Sequence, residues 1–393
     1  MTHLPRPDRY TRSREAPPTT DGIRTRLSLR LSAVGIAARG KTLRIAAVGR
    51  ALPSHRYDQE ELLLALRAHW KRHGAGGNTR RLEALHRSVL VGSRHLALPI
   101  DGYERVAAFG DSNDAWIEIA QQLGGDAVES ALAASGVDRD RVGALFFVTT
   151  TGVATPSIDA LLMNRLDLPR SVKRMPMFGL GCVAGAAGVA RAADYVRAFP
   201  EEAAVLLSVE LCSLTLQSGD HSVANQIASG LFGDGAAAVV ITGERIDADG
   251  PSIIATRSCF YSNTERVMGW DVTERGFSIV LSPEVPAMVS RHLKEDVERF
   301  LADHGVARED VASWVCHPGG PKVIEALAVT FGLDNGELEP VWNSLREVGN
   351  LSSASVLFIL ADTMESRRPR PGSVGLMMAM GPGFCSEILL LEW

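Results

Sequence analysis

A cysteine, a histidine and an asparagine each stand directly before a helix-like stretch of this sequence. Cys182 lies in a glycine-rich run, His317 ends an apolar strand-like segment, and Asn350 lies between a glycine and two serines. In α/β proteins such positions collect at the carboxyl ends of strands, where active sites form. A thiol nucleophile, an imidazole and an amide donor suit acyl transfer through a thioester. Each residue alone is more often structural than functional, and it is the joint pattern that favours a site.

The cysteine has the most specific surroundings. Residues 177–188 read MFGLGCVAGAAG, so glycines precede the thiol and an Ala-rich helical stretch follows it. The N-terminal end of a helix carries partial positive charge, and we expect it to lower the pKa of the Cys182 thiol. Backbone N–H groups beside the glycines are placed to bind a developing oxyanion. These features predict a reactive nucleophile rather than a structural thiol.

Strand and helix patterns alternate around these residues. Short apolar runs predict strands near residues 43–49, 144–149, 173–177, 204–209, 236–241, 253–260, 277–281, 314–317, 374–380 and 388–391. Longer periodic stretches predict helices over 59–70, 113–135, 158–166, 184–198, 222–229, 285–303, 322–331, 339–348 and 353–364. We therefore predict an α/β protein of two packed halves, residues 42–245 and 246–393. They follow an Arg-, Thr- and Pro-rich arm over residues 1–41, which we expect to be disordered.

Composition excludes several classes of protein. The 393 residues carry a formal net charge of −5, which gives no reason to expect nucleic acid as a partner. No apolar run reaches the ~18 residues of a membrane span. The five cysteines have neither metal-type nor CxxC spacing, so we expect them to be reduced, in a cytoplasmic protein. No dinucleotide or P-loop fingerprint follows a strand, and we predict no cofactor and no metal.

Papain-like proteases also use a cysteine, a histidine and an asparagine in this chain order. Their nucleophile lies near the mature N-terminus, in a context such as Cys-Gly-Ser-Cys-Trp. Here the cysteine lies in the middle of the chain and is followed by Val-Ala-Gly. The position of the nucleophile therefore argues against a protease.

Five short motifs occur together: Gly181-Cys182, and LFGDG, HPGGP, GNLSSA and GPGF over residues 231–235, 317–321, 349–354 and 381–384. In this order they resemble the type III polyketide synthases, the chalcone-synthase-like enzymes of the thiolase fold. The resemblance covers residues 42–393. It implies that the two halves pack as αβαβα layers. It also implies a homodimeric acyltransferase that uses an acyl-CoA starter and malonyl-CoA.

The resemblance assigns a role to each motif. Cys182 would take the starter acyl group from CoA and hold the growing chain as a thioester, with His317 keeping the thiol ionised. His317 and Asn350 would bind the thioester carbonyl of malonyl-CoA and promote its decarboxylation. Phe232 corresponds to a gatekeeper between the CoA tunnel and the cavity. The scaffold of the cyclisation pocket corresponds to Gly381, Pro382 and Gly383.

A basic stretch over residues 71–94 has two interpretations. As a run of charges it is a solvated face. In the family this region binds the phosphates of CoA, and arginine forks match phosphate geometry. The candidates for CoA binding are then Arg81 and Arg87, together with Lys322 further along the chain.

The positions that match the family's cavity lining depart from the plant pattern. They are Thr150, Ala154, Cys212, Thr215, Trp270, Ile279 and Ser352. Ala154 replaces a larger polar residue, and Ile279 replaces a second gatekeeper phenylalanine. Small residues at 150, 154 and 212 resemble the bacterial alkylresorcinol and alkylpyrone synthases, which accept long acyl starters, although ordinary core variation explains them too. We predict a long-chain fatty acyl starter and an alkylresorcinol or alkylpyrone product.

Other functions remain open at this point. The nearest rival is a bacterial enzyme that makes a tetrahydroxynaphthalene from malonyl-CoA alone. A ketoacyl-ACP synthase III-like enzyme uses the same three residue types, but the Gly-Pro-Gly loop near the C-terminus argues against it. A catalytically inactive binding protein is a third alternative, and the intact Cys182, His317 and Asn350 speak against it.

Overall fold

Nine strands of the chain form one mixed sheet. The computed structural model describes residues 42–72, 79–106, 108–334 and 336–393. Its strands are β1 (Arg44–Ala51), β2 (His55–Asp58), β3 (Ser93–Leu96), β4 (Val142–Thr149), β5 (Lys173–Phe178), β6 (Ala203–Leu211), β7 (Asp234–Thr242), β8 (Ser252–Phe260), β9 (Met268–Thr273), β10 (Gly276–Leu281), β11 (Val311–Cys316), β12 (Val374–Gly381) and β13 (Cys385–Glu392). The order in the large sheet is β11-β12-β13-β8-β1-β7-β6-β4-β5. The pair β2–β3 forms a separate antiparallel two-stranded sheet, and β9–β10 forms a hairpin.

Helices pack on this sheet. They are α1 (Gln59–Arg72), α2 (Thr79–Ser88), α3 (Phe109–Ser135), α4 (Ile158–Leu166), α5 (Ala184–Ala198), α6 (Val223–Leu231), α7 (Val285–Met288), α8 (Lys294–Asp303), α9 (Pro321–Phe331), α10 (Glu339–Val348) and α11 (Ser355–Ser366). A π-helical segment, Val289–Leu293, joins α7 to α8. None of the helices in the described ranges is both long enough and apolar enough to cross a bilayer.

The large sheet has two parts that meet at a single point. β1 pairs with β7 along its length but with β8 only through Arg44 and Ser252. On one side, β4 runs parallel to both β5 and β6. On the other, β11 and β12 are parallel, while β13 is antiparallel to both β12 and β8. Each half of the chain thus contributes one part of the sheet.

Strands buried on both faces explain the continuous apolar runs of the sequence. In β4, Leu145 and Phe147 point into one hydrophobic cluster, and Phe146 and Val148 point into another. Successive side chains of a strand face opposite sides, so both sides of β4 are covered by helices. The helices α3 and α4 lie on the first side. The second side faces the interior of the fold.

The central layer consists of α5 and α11. Nearly every residue of α5 is buried, and it contacts β4, β6 and β7 on one side and β12 and β13 on the other. Small residues allow this close approach: a Cβ on Gly185 would stand 2.1 Å from the Ser353 carbonyl oxygen. Residues of α8 and α9 complete the core of the second half. The layers follow the αβαβα order that the sequence predicts.

Some predicted elements match closely and others were missed. The predicted bounds of α4, α5 and α10 are confirmed to the residue. The strands β2 and β3, helix α2 and strand β9 were not predicted. The predicted disordered arm, residues 1–41, lies outside the described residues. Residues 42–393 form one compact unit, and the division at residue 245 stays a prediction.

Candidate active site

Cys182 lies in a 3₁₀ turn, Gly181–Val183, that leads directly into α5. Gly181 takes a φ of 55°, a left-handed conformation that favours glycine. The loop after β12 packs against this turn. A Cβ on Gly381 would stand 2.6 Å from the backbone nitrogen of Val183, and one on Gly181 would stand 2.6 Å from Pro382. The structure therefore brings the predicted Gly-Pro-Gly loop onto the backbone that carries the thiol.

Asn350 and Phe232 are joined through their backbones. They form an isolated parallel bridge, in which Gly233 N–H donates to Asn350 O at 3.0 Å and Asn350 N–H donates to Leu231 O at 2.9 Å. The side-chain oxygen of Asn350 accepts a hydrogen bond from Ser352 N–H at 2.8 Å. The side chain is thereby oriented, and its amide hydrogens are the donors left for a ligand.

His317 follows the end of β11. Its backbone N–H donates to Met378 O at 3.0 Å, which ties it to β12. Neither ring nitrogen has a hydrogen-bond partner among the described residues, although the side chain is buried. A neutral imidazole offers one N–H donor and one acceptor nitrogen. His317 therefore has both functions available for a ligand.

Two cavities meet at Phe232. The larger encloses about 1090 Å³, part of it open to solvent, and is bordered by the predicted residues Cys212, Thr215, Phe232, Trp270 and Ile279. The smaller, about 570 Å³, is bordered by His317, Asn350 and again Phe232. The Phe232 ring thus separates a roomy chamber from the one that holds the imidazole and the amide.

Three other residues predicted to line the cavity, Ser352, Thr150 and Ala154, lie outside the two cavities. Ser352 is buried, with Oγ 3.6 Å from Cys182 Sγ. Thr150 is buried and donates its backbone N–H to a Glu210 carboxylate oxygen at 3.1 Å. Ala154 packs at the margin of the cluster under α3. Like Cys182 itself, none of these three positions is among the described residues that border either cavity.

The expectation of an ionised thiol is not supported by this geometry. Burial raises the pKa of Cys182 to about 12, and the effect of burial is larger than that of the Ser352 hydrogen bond, which lowers it. Burial lowers the pKa of His317 to about 3. Both groups are therefore neutral at pH 7, because no hydrogen bond between them offsets their removal from water. The helix end alone does not make Cys182 a thiolate.

Two protein-family models match most of this chain. Residues 31–245 match the N-terminal domain, and residues 252–392 the C-terminal domain, of the chalcone and stilbene synthases. A 1,3,6,8-tetrahydroxynaphthalene synthase of Streptomyces peucetius subsp. caesius is 47% identical over 352 residues, 89% of this chain and 93% of that protein. A putative chalcone synthase of Bacillus subtilis (strain 168) is 36% identical over 89% of this chain and 98% of its own.

A solved structure agrees with the sequence comparisons. The crystal structure of 1,3,6,8-tetrahydroxynaphthalene synthase from Streptomyces coelicolor A3(2), a bacterial type III polyketide synthase, superposes with a TM-score of 0.84. The two chains are 28% identical, and the match covers 89% of this chain and 99% of that one. The chain belongs to the type III polyketide synthases. It is an acyltransferase that condenses malonyl-CoA, and the family and thiolase-like fold implied by the sequence motifs are confirmed.

This polyketide synthase also contains a buried carboxyl that sequence reasoning missed. Glu210, near the end of β6, has no exposed surface and accepts hydrogen bonds from Thr151 Oγ1 at 3.0 Å and from the Ser353 hydroxyl. Burial raises the pKa of Glu210 to about 7. The signal in the sequence was a single charged residue in the apolar run AAVLLSVEL.

The basic stretch is divided between surface and interior. Arg81 and Arg87 lie exposed on α2, and Lys322 lies exposed on α9. Arg81 Nη2 donates to His221 O at 3.0 Å. Arg94, in contrast, is buried and donates through Nη1 to Phe232 O at 2.8 Å. The solvated-face interpretation is therefore wrong for Arg94. This buried side chain instead binds the backbone of the predicted gatekeeper, Phe232.

Proposed function

We propose that Cys182 carries the growing chain and that His317 and Asn350 bind the malonyl thioester. Cleavage of the bond between the malonyl carboxylate and its neighbouring carbon releases carbon dioxide. The electron pair of that bond stays on the thioester, which becomes an enolate with negative charge on the thioester oxygen. The Asn350 amide and the neutral His317 N–H are donors for that oxygen, a task worth ~2.7–4 kcal/mol per donor. The enolate carbon then attacks the Cys182 thioester, a carbon–carbon bond forms, and the sulfur leaves. The shared cavity of His317 and Asn350 supports this assignment.

We further propose that malonyl-CoA serves as both starter and extender, and that the product is a tetrahydroxynaphthalene. The observation that carries this proposal is the 47% identity, over 352 residues, to a 1,3,6,8-tetrahydroxynaphthalene synthase. The ten carbons of that ring system correspond to five two-carbon units, so no separate starter is needed. Thr150 and Ala154, on which the fatty acyl prediction partly rested, do not border the described cavities.

A long-chain acyl starter, leading to an alkylresorcinol or alkylpyrone, is the second candidate. One observation favours it: the larger cavity has an apolar wall that includes Leu62, Leu66, Leu96 and Ile100. An alkyl chain on this wall would gain about 0.8 kcal/mol per buried methylene. The two candidates differ in whether product forms without an acyl-CoA.

The test is a product assay with purified protein. Malonyl-CoA is supplied alone or with hexanoyl-CoA or lauroyl-CoA, and products are identified by chromatography and mass spectrometry. We expect a ten-carbon aromatic from malonyl-CoA alone, with no incorporation of lauroyl-CoA. Product only in the presence of an acyl-CoA would reject the malonyl starter. Cys182→Ala should abolish every product, while Cys259→Ala, at a half-buried thiol, is the matched control.

CoA binding is proposed at the exposed basic residues Arg81, Arg87 and Lys322. Their exposure leaves them accessible to the phosphates of CoA, which arginine recognises as a fork. Replacement by glutamine should raise the KM for malonyl-CoA and weaken its dependence on salt. We also propose a cytoplasmic location, in which the five free cysteines would stay reduced.

We also propose a homodimer. β5 stands at one end of the sheet, so one side of its backbone has no strand partner among the described residues. Phe178, at the end of β5, is 53% exposed, and Val153, four residues beyond β4, is 42% exposed. Apolar surface beside an open strand edge is what a second copy can cover. Light scattering should give a dimer for the wild type and a monomer for Phe178→Asp, with Val329→Asp on α9 as the control.

A further inference from the structure

The wall of the larger cavity contains a chain of hydrogen bonds that the proposed chemistry does not use. Tyr103, from the turn Ile100–Arg105, and Ser213, from the turn Cys212–Thr215, both border this cavity. The Tyr103 hydroxyl is hydrogen-bonded to the Ser213 hydroxyl, which is hydrogen-bonded to the Asp234 carboxylate. Asp234 has no exposed surface. Two hydroxyl groups therefore connect the cavity to a buried carboxylate.

The direction of these hydrogen bonds follows from the surroundings of Asp234. Its oxygens accept hydrogen bonds from the backbone N–H groups of Ala97, at 2.6 Å, and Ser213, at 2.8 Å. Burial raises the pKa of Asp234 to about 6, and these hydrogen bonds and the buried Arg94 guanidinium oppose that rise, so Asp234 stays mainly ionised at pH 7. A carboxylate held by donors and a cation is ionised and only accepts. Ser213 must then donate its hydroxyl hydrogen to Asp234, and Tyr103 must donate its own to Ser213.

Both hydroxyl hydrogens are thus used inside the wall, and oxygen lone pairs remain for the cavity. Tyr103 Oη has one further donor, the Leu98 N–H at a long 3.4 Å, and can accept another hydrogen bond. A ketone oxygen, itself an acceptor, gains nothing at this point. An enol or phenol hydroxyl does gain, because it donates. A poly-β-keto chain presents such hydroxyls wherever a keto group enolises or a ring becomes aromatic.

This chain of hydrogen bonds lies close to the nucleophile. Cys212 borders the same cavity and precedes Ser213 in its turn. Burial, and after it the nearby Glu210, Asp234 and Cys182, raise the pKa of the Cys212 thiol. Cys212 is therefore near both the nucleophile and the buried carboxylate. A chain that occupies this cavity lies beside Cys212 and Ser213.

We propose that Tyr103, held by Ser213 and Asp234, is a specificity-determining residue that accepts a hydrogen bond from an enol or phenol hydroxyl of the extended chain. The proposal rests on the proposed function, because it is the polyketide chain that carries such hydroxyls into the cavity. The bond restrains the chain before ring closure and keeps intermediates bound for further extension. Without it, shorter chains are released early as pyrones.

Tyr103→Phe tests this directly, since it removes the oxygen and keeps the ring. The readout is the ratio of fully extended product to early-released pyrones, measured beside the rate of malonyl-CoA consumption. We expect the ratio to fall about tenfold, the effect of one lost hydrogen bond, with KM and consumption within about twofold of wild type. Ser213→Ala should shift the ratio in the same direction, because Tyr103 then turns its hydrogen toward the cavity.

Tyr57→Phe is the matched control. The Tyr57 hydroxyl accepts a hydrogen bond from Ile100 N–H, in the same turn, at 3.3 Å, but Tyr57 does not border the described cavities. If the ratio of fully extended to early-released product fell equally in Tyr57→Phe, the cause would be a change in the turn rather than the lost Tyr103 hydroxyl, and the proposal would be overturned. A raised KM for malonyl-CoA in Tyr103→Phe, with the ratio unchanged, would also overturn it, because the hydroxyl would then bind the pantetheine arm of CoA.

The failure of the proposed function would be visible separately. If wild-type protein needs an acyl-CoA starter, the malonyl starter is rejected. The ratio of fully extended to early-released product can still be measured with that starter. An unchanged ratio in Tyr103→Phe then overturns the inference, and a fall of the expected size supports it.

Discussion

The buried carboxyl of Glu210 allows a quantitative test through the substitution Glu210→Gln. Burial raises the pKa of Glu210 from 4.5 to about 7, although hydrogen bonds from Ser353, Thr150 and Thr151 oppose the shift. Because the folded pKa lies above the unfolded value, the folded protein binds the proton more tightly. The stability that this gives is fully present below pH 4.5 and is lost as the pH rises through about 7. Above that pH, the wild type holds a carboxylate in an apolar interior.

The two pKa values set the size of the effect. Relative to low pH, where Glu210 is protonated in both states, this pKa difference lowers the free energy of unfolding by about 1 kcal/mol at pH 5 and about 3 kcal/mol at pH 8. Glutamine keeps the side-chain length and an oxygen acceptor for Thr150 N–H, and it carries no charge. We expect the free energy of unfolding of Glu210→Gln, relative to wild type, to rise by about 2 kcal/mol between these pH values. Urea unfolding followed by tryptophan fluorescence measures it.

Glu325→Gln, at an exposed position of α9, is the control, and its difference from wild type should not change with pH. The refuting result is specific. If Glu210→Gln differs from wild type by the same free energy at pH 5 and pH 8, the carboxyl does not gain its proton near neutrality. Burial would then be outweighed by the hydrogen bonds to Glu210, and the reasoning about this site would be wrong.

Three further predictions follow from the site. Iodoacetamide labelling of Cys182 should accelerate about tenfold per pH unit from pH 7 to 9, because burial raises its pKa to about 12, and a plateau below pH 8 would contradict this. Gly381→Ala should abolish product formation by displacing the cysteine turn, whereas Gly110→Ala, whose Cβ meets nothing within 4 Å, should leave it intact. Arg94→Met should lower the free energy of unfolding by roughly 2–4 kcal/mol, against less than ~0.5 kcal/mol for the exposed Arg87→Met, as measured by urea unfolding.

The regular elements were predictable because their patterns are local. β6 is apolar throughout because both its faces are buried, and α5 is rich in alanine and glycine because it lies between two sheets. The three candidate catalytic residues stand at ends of such elements, so the motifs identified them. Helix α2 was missed because only Leu82 and His86 are buried among its described side chains, so few apolar residues mark a helix in this basic stretch.

The supporting residues of the site could not be predicted in the same way. An arginine in a basic stretch is expected at the surface, and nothing local indicates that Arg94 donates to the Phe232 carbonyl. The burial that raises the pKa of Cys182 was not anticipated, because a helix end is visible in the sequence and burial is not. The same holds for Tyr103, whose partner Ser213 lies 110 residues further along the chain.

The division between rigid and variable parts of this fold explains why its chemistry is easier to infer than its product. Cys182, His317 and Asn350 stand on backbone that is fixed by α5, by β12 and by the bridge to Phe232. The wall of the larger cavity combines the turns Ile100–Arg105 and Cys212–Thr215 and the hairpin β9–β10 with side chains of the helices α1 and α6. Turns and hairpins tolerate substitution without loss of the core. Starter choice and chain length therefore depend on side chains that short motifs do not contain.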